Sequence, residues 1–509
     1  MKRLAVLILA LTLGGAACKP SVPDSLIWAR SDDSGTLDPA EIEWGEDAKV
    51  SQNIFEPLVT FRTDSSELEG RLAKSWAFSD GGRTLTFQLR EGVKFHDGTT
   101  FDAEDVVFTF QRLIDDKHPN RPKAVPYGPN FAAIASVKAD GPSKAVFTLR
   151  EPSGVILYIL SLFGAGIVSP EAVKKHGEQW ATNPVGTGPY KLARWDRKVK
   201  IVLERFDGYW GAKPPVSKVV IVPVQSPQTA IQRLKQGEVH VVDHPTLADI
   251  KPLLSDAATH VDTETSLNVC YLGFNLRKAP YDDLNFRRAV SLALDRKSLN
   301  ELAYYGLAEP SSNIVPPAIW RNLAPTPEYE HDIEKAKEAL KLVKLESNKV
   351  ELIHMTYARP YVPEPARVAE WVKDQLRKIG LEVKLTGFDK AAYTQKTKEP
   401  SHPMYLLGWN ADYPHPDNFF YPLLHGDNAG DLNGSFFNDP EFNESVKKAQ
   451  SEPDPDRQKA LYTKAYARYR HQLPTVPLVH ARQVIALAKK VSYNMHPIEY
   501  RFYDAEFNE

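Results

Sequence analysis

The sequence predicts an α/β protein in which two α/β lobes face a cleft and a third lobe is richer in sheet. Three observations carry this reading. The chain has 509 residues, more than a single hydrophobic core accommodates. Its early part alternates apolar and polar residues with the period of strands. From about residue 190 onward, short apolar runs alternate with segments of helical period, the strand–helix–strand pattern of parallel sheets.

In chain order, Leu26-Ile27-Trp28-Ala29 reads as a strand. Residues 85–95 alternate apolar and polar and read as a half-buried strand pair turning near Gly92. Asp102 is placed to cap a helix whose apolar face is Val106, Phe110, Leu113 and Ile114. Ala145, Phe147 and Leu149 form one side of a further strand. Next comes a strand over 219–224. A helix follows, with Ser226 as cap, Pro227 as first residue and Gly237 as stop, and then a strand at Val239 and Val241. The unit recurs more clearly beyond residue 330. Asp332 caps a helix carrying Ile333, Ala336, Ala339, Leu340 and Val343 on one face. A strand over 350–357, a helix over 363–379 stopped by Gly380, and a strand through Leu381, Val383 and Leu385 follow. The apolar run 404–409 then enters a polar turn, Asn410-Ala411-Asp412-Tyr413-Pro414. Ligands of open α/β sheets collect at the carboxyl ends of strands, and Asp412 lies at such an end.

Charge excludes one class of partner. Lys and Arg number 63 against 65 Asp and Glu, so no basic excess points to nucleic acid. The first seventeen residues read as a secretion signal. Lys2 and Arg3 are followed by an apolar run from Leu4 to Leu13 and by small residues before Cys18. That run is too short for a spanning helix. A cysteine after small residues resembles a bacterial lipobox, although Gly15 stands where the lipobox leucine usually does. Lipidation of Cys18 would anchor the chain; the alternative is an ordinary signal with an incidental cysteine. Cys270, in the apolar stretch Val269-Cys270-Tyr271-Leu272, reads as a small buried hydrophobe. The run 155–168 reads as core.

Motifs of chemistry are sparse. His96-Asp97-Gly98 reads as a turn leaving a strand, with no second ligand cluster to make it a metal site. Gly186-Thr187-Gly188-Pro189 lacks the lysine of a phosphate cradle and reads as a turn. No nucleophile elbow or HExxH pattern occurs. Weight therefore shifts from enzyme to binder, with no metal and no cofactor. Trp409, Tyr413, Phe419 and Phe420 cluster about the polar turn. Rings beside a few polar groups are how pockets grip small ligands, and equally how a lobe is packed.

Ordered blocks along the chain carry a resemblance. They include Leu37-Asp38-Pro39, Ile54-Phe55-Glu56-Pro57-Leu58, Phe87-Gln88-Leu89-Arg90-Glu91-Gly92-Val93-Lys94-Phe95-His96-Asp97-Gly98, Gly186-Thr187-Gly188-Pro189-Tyr190, Phe274-Asn275 and Arg287-Arg288-Ala289-Val290. With these the chain resembles family 5 of the bacterial extracellular solute-binding proteins, the oligopeptide, dipeptide and nickel receptors of ABC importers. The resemblance implies a periplasmic binding protein-like fold with a hinged cleft. Lobe I would take 18–50 with 181–262 and 478–509, lobe II the insertion 51–180, and lobe III 263–477. It implies a monomeric, extracytoplasmic receptor, lipid-anchored at the membrane, that binds short peptides and passes them to a permease. Within the family pattern Asp412 is expected to pair with the peptide α-ammonium, flanked by Trp409 and Tyr413. A nickel chelate, a sugar or an opine is the alternative ligand, and peptide sensing without transport the alternative role. His415 and His425 lie near the segment without the placement of metal ligands.

Overall fold

The computed structural model describes residues 25–62, 67–320 and 330–508. The signal segment 1–17 and Cys18 lie outside the described residues. No helix among the described residues is long and apolar enough to cross a membrane.

Twelve strands join into one twisted sheet, and its order explains the architecture. From one edge it runs Glu382–Phe388, Lys349–Met355, Met404–Asn410, Asn268–Gly273, Thr475–Ala488, Val241–Val242, Ser25–Arg30, Lys218–Pro223, Lys200–Arg205 and Tyr190–Asp196. Thr259–Thr265 and Ala308–Pro310 pair with the 475–488 strand off this path. That long strand belongs to both halves: it pairs with 268–273 on one side and with 259–265 on the other. The chain passes between the halves there and again at Ser266-Leu267, between two strands. Asn268 stitches this crossing. Its Oδ1 accepts from the Ala481 amide at 2.9 Å, its amide group donates to the Ala481 carbonyl at 3.1 Å, and its carbonyl accepts from His480 Nδ1 at 2.6 Å.

The strand–helix–strand units form as their patterns predict, with one difference. Ser226 accepts from the Thr229 amide and Pro227 opens the Pro227–Lys235 helix, yet the strands on either side are not neighbours. The 25–30 strand lies between them, parallel to both. A crossover leaves room for an inserted strand, and the most N-terminal described strand fills it. The second unit closes directly: 349–355 and 382–388 are parallel neighbours, joined through the Pro365–Arg377 helix. Gly380 takes φ +89°, which ends that helix where an L side chain would be strained.

The buried apolar side chains fall into three clusters. The first joins Leu26, Trp28, Val50 and Ile54 to Val168–Leu253 and to Ile485–Ala505. It takes in Val168, Ala172, Val173 and Trp180. The second, built mainly from 58–167, lies under a four-stranded antiparallel sheet ordered Ala73–Ser79, Thr84–Leu89, Lys144–Leu149, Ile134–Ala139. The third spans Val269 to Ala481 and includes Cys270 with no exposed surface.

In the second cluster the strand pair expected over 85–95 does not form. Strand 84–89 pairs with 73–79 and 144–149. Beyond Gly92, at φ +76°, residues 93–101 make a tight loop of their own, with Phe95 amide to Thr99 carbonyl at 2.9 Å and Phe101 amide to Val93 carbonyl at 3.0 Å. Val93 and Phe95 still point inward; alternation reports burial, and a tight loop satisfies it as well as a strand. The Asp102 cap forms a full capping box with Asp105.

The motif blocks lie at the seam between the first and second clusters. His96 Nε2–H donates to the Gly188 carbonyl at 2.9 Å. A Cβ at Gly186 or Gly188 would collide with the backbone of Asn53 and Ile54. Buried Glu56 accepts from Arg71 Nε at 2.7 Å, Tyr209 Oη at 2.9 Å, Trp210 Nε1 at 2.8 Å and Thr187 Oγ1 at 2.8 Å. Arg112 pairs with Asp38 at 2.6 Å, both buried.

Candidate functional site

Strands 382–388, 349–355 and 404–410 are parallel, so their carboxyl ends share one edge of the sheet. Asp412 lies two residues beyond the last of them. Its backbone amide donates to Asn418 Oδ1 at 3.0 Å, which folds the chain back into the Asp417–Leu424 helix. Its carboxylate accepts from Tyr127 Oη at 3.1 Å, across from the second cluster. No basic side chain among the described residues pairs with it. The group keeps some surface but is densely surrounded by protein. That burial pushes its pKa up to about 6, against the hydrogen bonds from Tyr127 and Asn418.

Trp409, half-buried, packs its ring on the third cluster, and its indole Nε1 donates to the same Asn418 Oδ1 at 3.0 Å. Tyr413 turns the other way. It is 6% exposed, its ring sits within the second cluster, and its hydroxyl donates to Asp417 Oδ2 at 3.1 Å. Asp417's other oxygen accepts from Tyr462 at 2.9 Å. Phe419 and Phe420 are wholly buried in the third cluster. His415 Nε2–H donates to Gln458 Oε1 at 3.1 Å, and burial pushes its imidazole down to about 4. Residues 412–415 are thus held between two bodies. The Tyr158 ring of the second lies 4.7 Å from His415 and 6.3 Å from Tyr413. Alongside, the Gly154 amide donates to the Gln450 carbonyl at 2.8 Å, an approach that leaves no room for a Cβ.

Sequence reasoning missed two residues here. Tyr127 comes from a turn 285 positions away in the chain, and nothing local marks it. Arg359 follows the 349–355 strand as Asp412 follows its neighbour, so the strand-end rule points to it once it is applied to both strands. Its guanidinium lies 5.7 Å from the Tyr361 ring centroid, with no carboxylate partner among the described residues. Tyr361 in turn packs against Gly408, where a Cβ would collide with its ring. Among the described residues, the ends of these two adjacent strands therefore carry a carboxylate with no cationic partner and a guanidinium with no carboxylate partner. No group of three or more His, Cys, Asp or Glu among the described residues is placed to hold a metal ion.

Residues 67–431 match the family described as bacterial extracellular solute-binding proteins, family 5, middle. A dipeptide-binding protein of Escherichia coli is 30% identical over 467 residues, 87% of each chain. Heme-binding protein A of Haemophilus influenzae is 31% identical over 471 residues, 88% of this chain and 86% of that one. Among solved structures, an ABC transporter-associated periplasmic binding protein from Helicobacter pylori, in complex with the peptide STSA, has a TM-score of 0.80. It is 29% identical, and the match covers 95% of this chain and 98% of that one.

Proposed function

The chain belongs to the bacterial extracellular solute-binding proteins of family 5, and from that premise we propose that it is the receptor of an ABC importer, binding short peptides between its lobes. One observation carries the substrate. Asp412 and Arg359, each without a charged partner, stand at the ends of adjacent parallel strands. An α-ammonium on Asp412 and a carboxylate on Arg359 satisfy both, and a buried charge is costly until paired. Adjacent strands lie about 5 Å apart, so the two anchors suit a peptide of about two or three residues. Tyr127 orients the Asp412 carboxylate, Trp409 walls the site, and Tyr413 holds the loop by its buried ring. Backbone groups would take the peptide as an added strand, leaving its side chains to tolerant pockets.

The haem-binding relative supplies the rival ligand. Haem brings two carboxylates and no ammonium, which would leave Asp412 facing a like charge. Mass spectrometry of what the denatured protein releases, with calorimetry on a dipeptide, decides. Mixed short peptides and dipeptide binding are expected; a porphyrin, with no dipeptide binding, would overturn the peptide reading.

The three clusters support lobes of 18–50 with 181–262 and 478–509, of 51–180, and of 263–477, hinged where the 475–488 strand passes between halves. The packing of Val168, Ala172, Val173 and Trp180 in the first cluster supports an end of the second lobe nearer 167. Residues 1–17 would direct export and Cys18 carry the lipid. A Cys18→Ala protein is expected to leave the membrane fraction, and its retention there would contradict the anchor.

A further inference from the structure

Charged side chains follow each of the three parallel strands: Asp412 after 404–410, Arg359 after 349–355, and Asp389 and Lys390 after 382–388, Asp389 being engaged in capping the helix that Lys390 opens. Lys390 therefore stands one strand beyond Arg359, on the side away from Asp412. There it meets Trp44 from the first body, with its Nζ 3.0 Å from the ring centroid.

Each partner is locally out of place. Trp44 occupies the N-cap of the Gly45–Ile54 helix, where a Ser, Thr, Asp or Asn would accept from a free amide. It makes no such bond and remains 45% exposed. Lys390 opens the Lys390–Lys396 helix, at the positive end of its dipole. Partial burial and the Arg359 charge lower its pKa, and Glu43, next to Trp44, is the anion that opposes them. What each lacks locally the other supplies: an aromatic face for a cation, and a cation for an exposed ring. Local rules broken on both sides of one contact point to a function at that contact.

We propose that Trp44 and Lys390 form the end wall of the cleft, closing it one strand beyond Arg359 and so limiting the ligand to short peptides. This rests on Asp412 and Arg359 being the two anchors. A longer peptide with its ammonium on Asp412 must carry its extra residues past Arg359, into the space where the ring and the ammonium meet. Without the ring that path opens, and Lys390 becomes free to receive the displaced carboxylate.

Calorimetry with di-, tri- and tetra-alanine on the protein from residue 19 onward tests this in the wild type, Trp44→Ala and Trp44→Phe. The wild type is expected to prefer the dipeptide. Trp44→Ala should narrow the preference over tetrapeptide by about tenfold, chiefly through tighter tetrapeptide binding. Trp44→Phe, which keeps a ring, should retain the wild-type preference. Lys390→Met loosens the same contact from the other side but leaves no cation to receive the displaced carboxylate, so it should narrow the preference in the same direction and by less than Trp44→Ala. A length preference unchanged in both Trp44→Ala and Lys390→Met would overturn the wall, as would a wild type that binds tetrapeptide as tightly as dipeptide. A wild type that binds no peptide of any length would instead overturn the anchors, and the wall with them.

Discussion

Burial holds the Asp412 carboxyl near 6, above its ordinary 3.8, in a site with no basic partner among the described residues. The folded, ligand-free chain thus binds this proton more tightly than the unfolded chain does. Stability then falls as pH rises from about 4 to about 6, and the full penalty persists above that window. Asp412→Asn removes the penalty. At pH 7 it is expected to stabilise the ligand-free protein by on the order of 1 kcal/mol in urea unfolding, with the gain vanishing by pH 4. The same change should weaken dipeptide binding by at least about tenfold, since a charged pair becomes a neutral contact. Wild-type affinity should hold from about pH 7 to about 6 and fall below it, as protonation removes the charge that meets the ammonium. Equal stability of both proteins at pH 7, or a pH-independent affinity, would contradict this role. Asp412 was legible because it follows a strong apolar run and lies within a family-like segment. Tyr127 was not, because its partner is distant in sequence and tyrosines are common in a chain with 21 of them.

At the scale of elements, local signals read well wherever one short stretch decides the outcome. The Asp102, Ser226 and Asp332 caps each accept the expected backbone amide, because capping involves residues within a single turn. The 363–379 helix starts two residues later than its pattern, at Pro365, where the fixed φ of proline suits a first turn. Period two over 85–95 failed as a strand pair because it encodes facing, while pairing is settled by partners at 73–79 and 144–149. The Glu56 and Gly186-Thr187-Gly188 blocks could be recognised but not explained from sequence. Their reason is a seam where one carboxylate takes four hydrogen bonds from side chains up to 154 positions away, and where backbone lies against backbone. Such blocks are held by hydrogen bonding and close packing across the seam.

For the whole molecule, the lobed α/β character was legible in the repeated strand–helix units, whereas the joining of both halves through the 475–488 strand was not. Nothing within that strand, which carries His480, Arg482 and Gln483 between its apolar stretches, marks its division between the two halves of the sheet; that depends on partners at 259–265 and 268–273. Closure about this crossing makes a global prediction. A saturating dipeptide should shrink the radius of gyration in solution scattering, and at a thousandfold excess over Kd it should raise stability by about 4 kcal/mol. Trp44→Ala should close less completely with the same ligand. An unchanged radius with ligand bound would mean that the cleft is already shut.

The first cluster draws on both extremities of the described chain, and this orders events in time. The 25–30 strand waits for partners at 218–223 and 241–242, and the latter for Leu487. A chain that emerges with its amino end first therefore holds the 25–30 strand unmatched until residues 218–242 have appeared, and leaves the 241–242 strand open on its other side until Leu487 follows. Such long-range closure is slow. The delay keeps the nascent polypeptide threadable, and the finished shape becomes attainable only once the whole length lies on one side of whatever it has passed through.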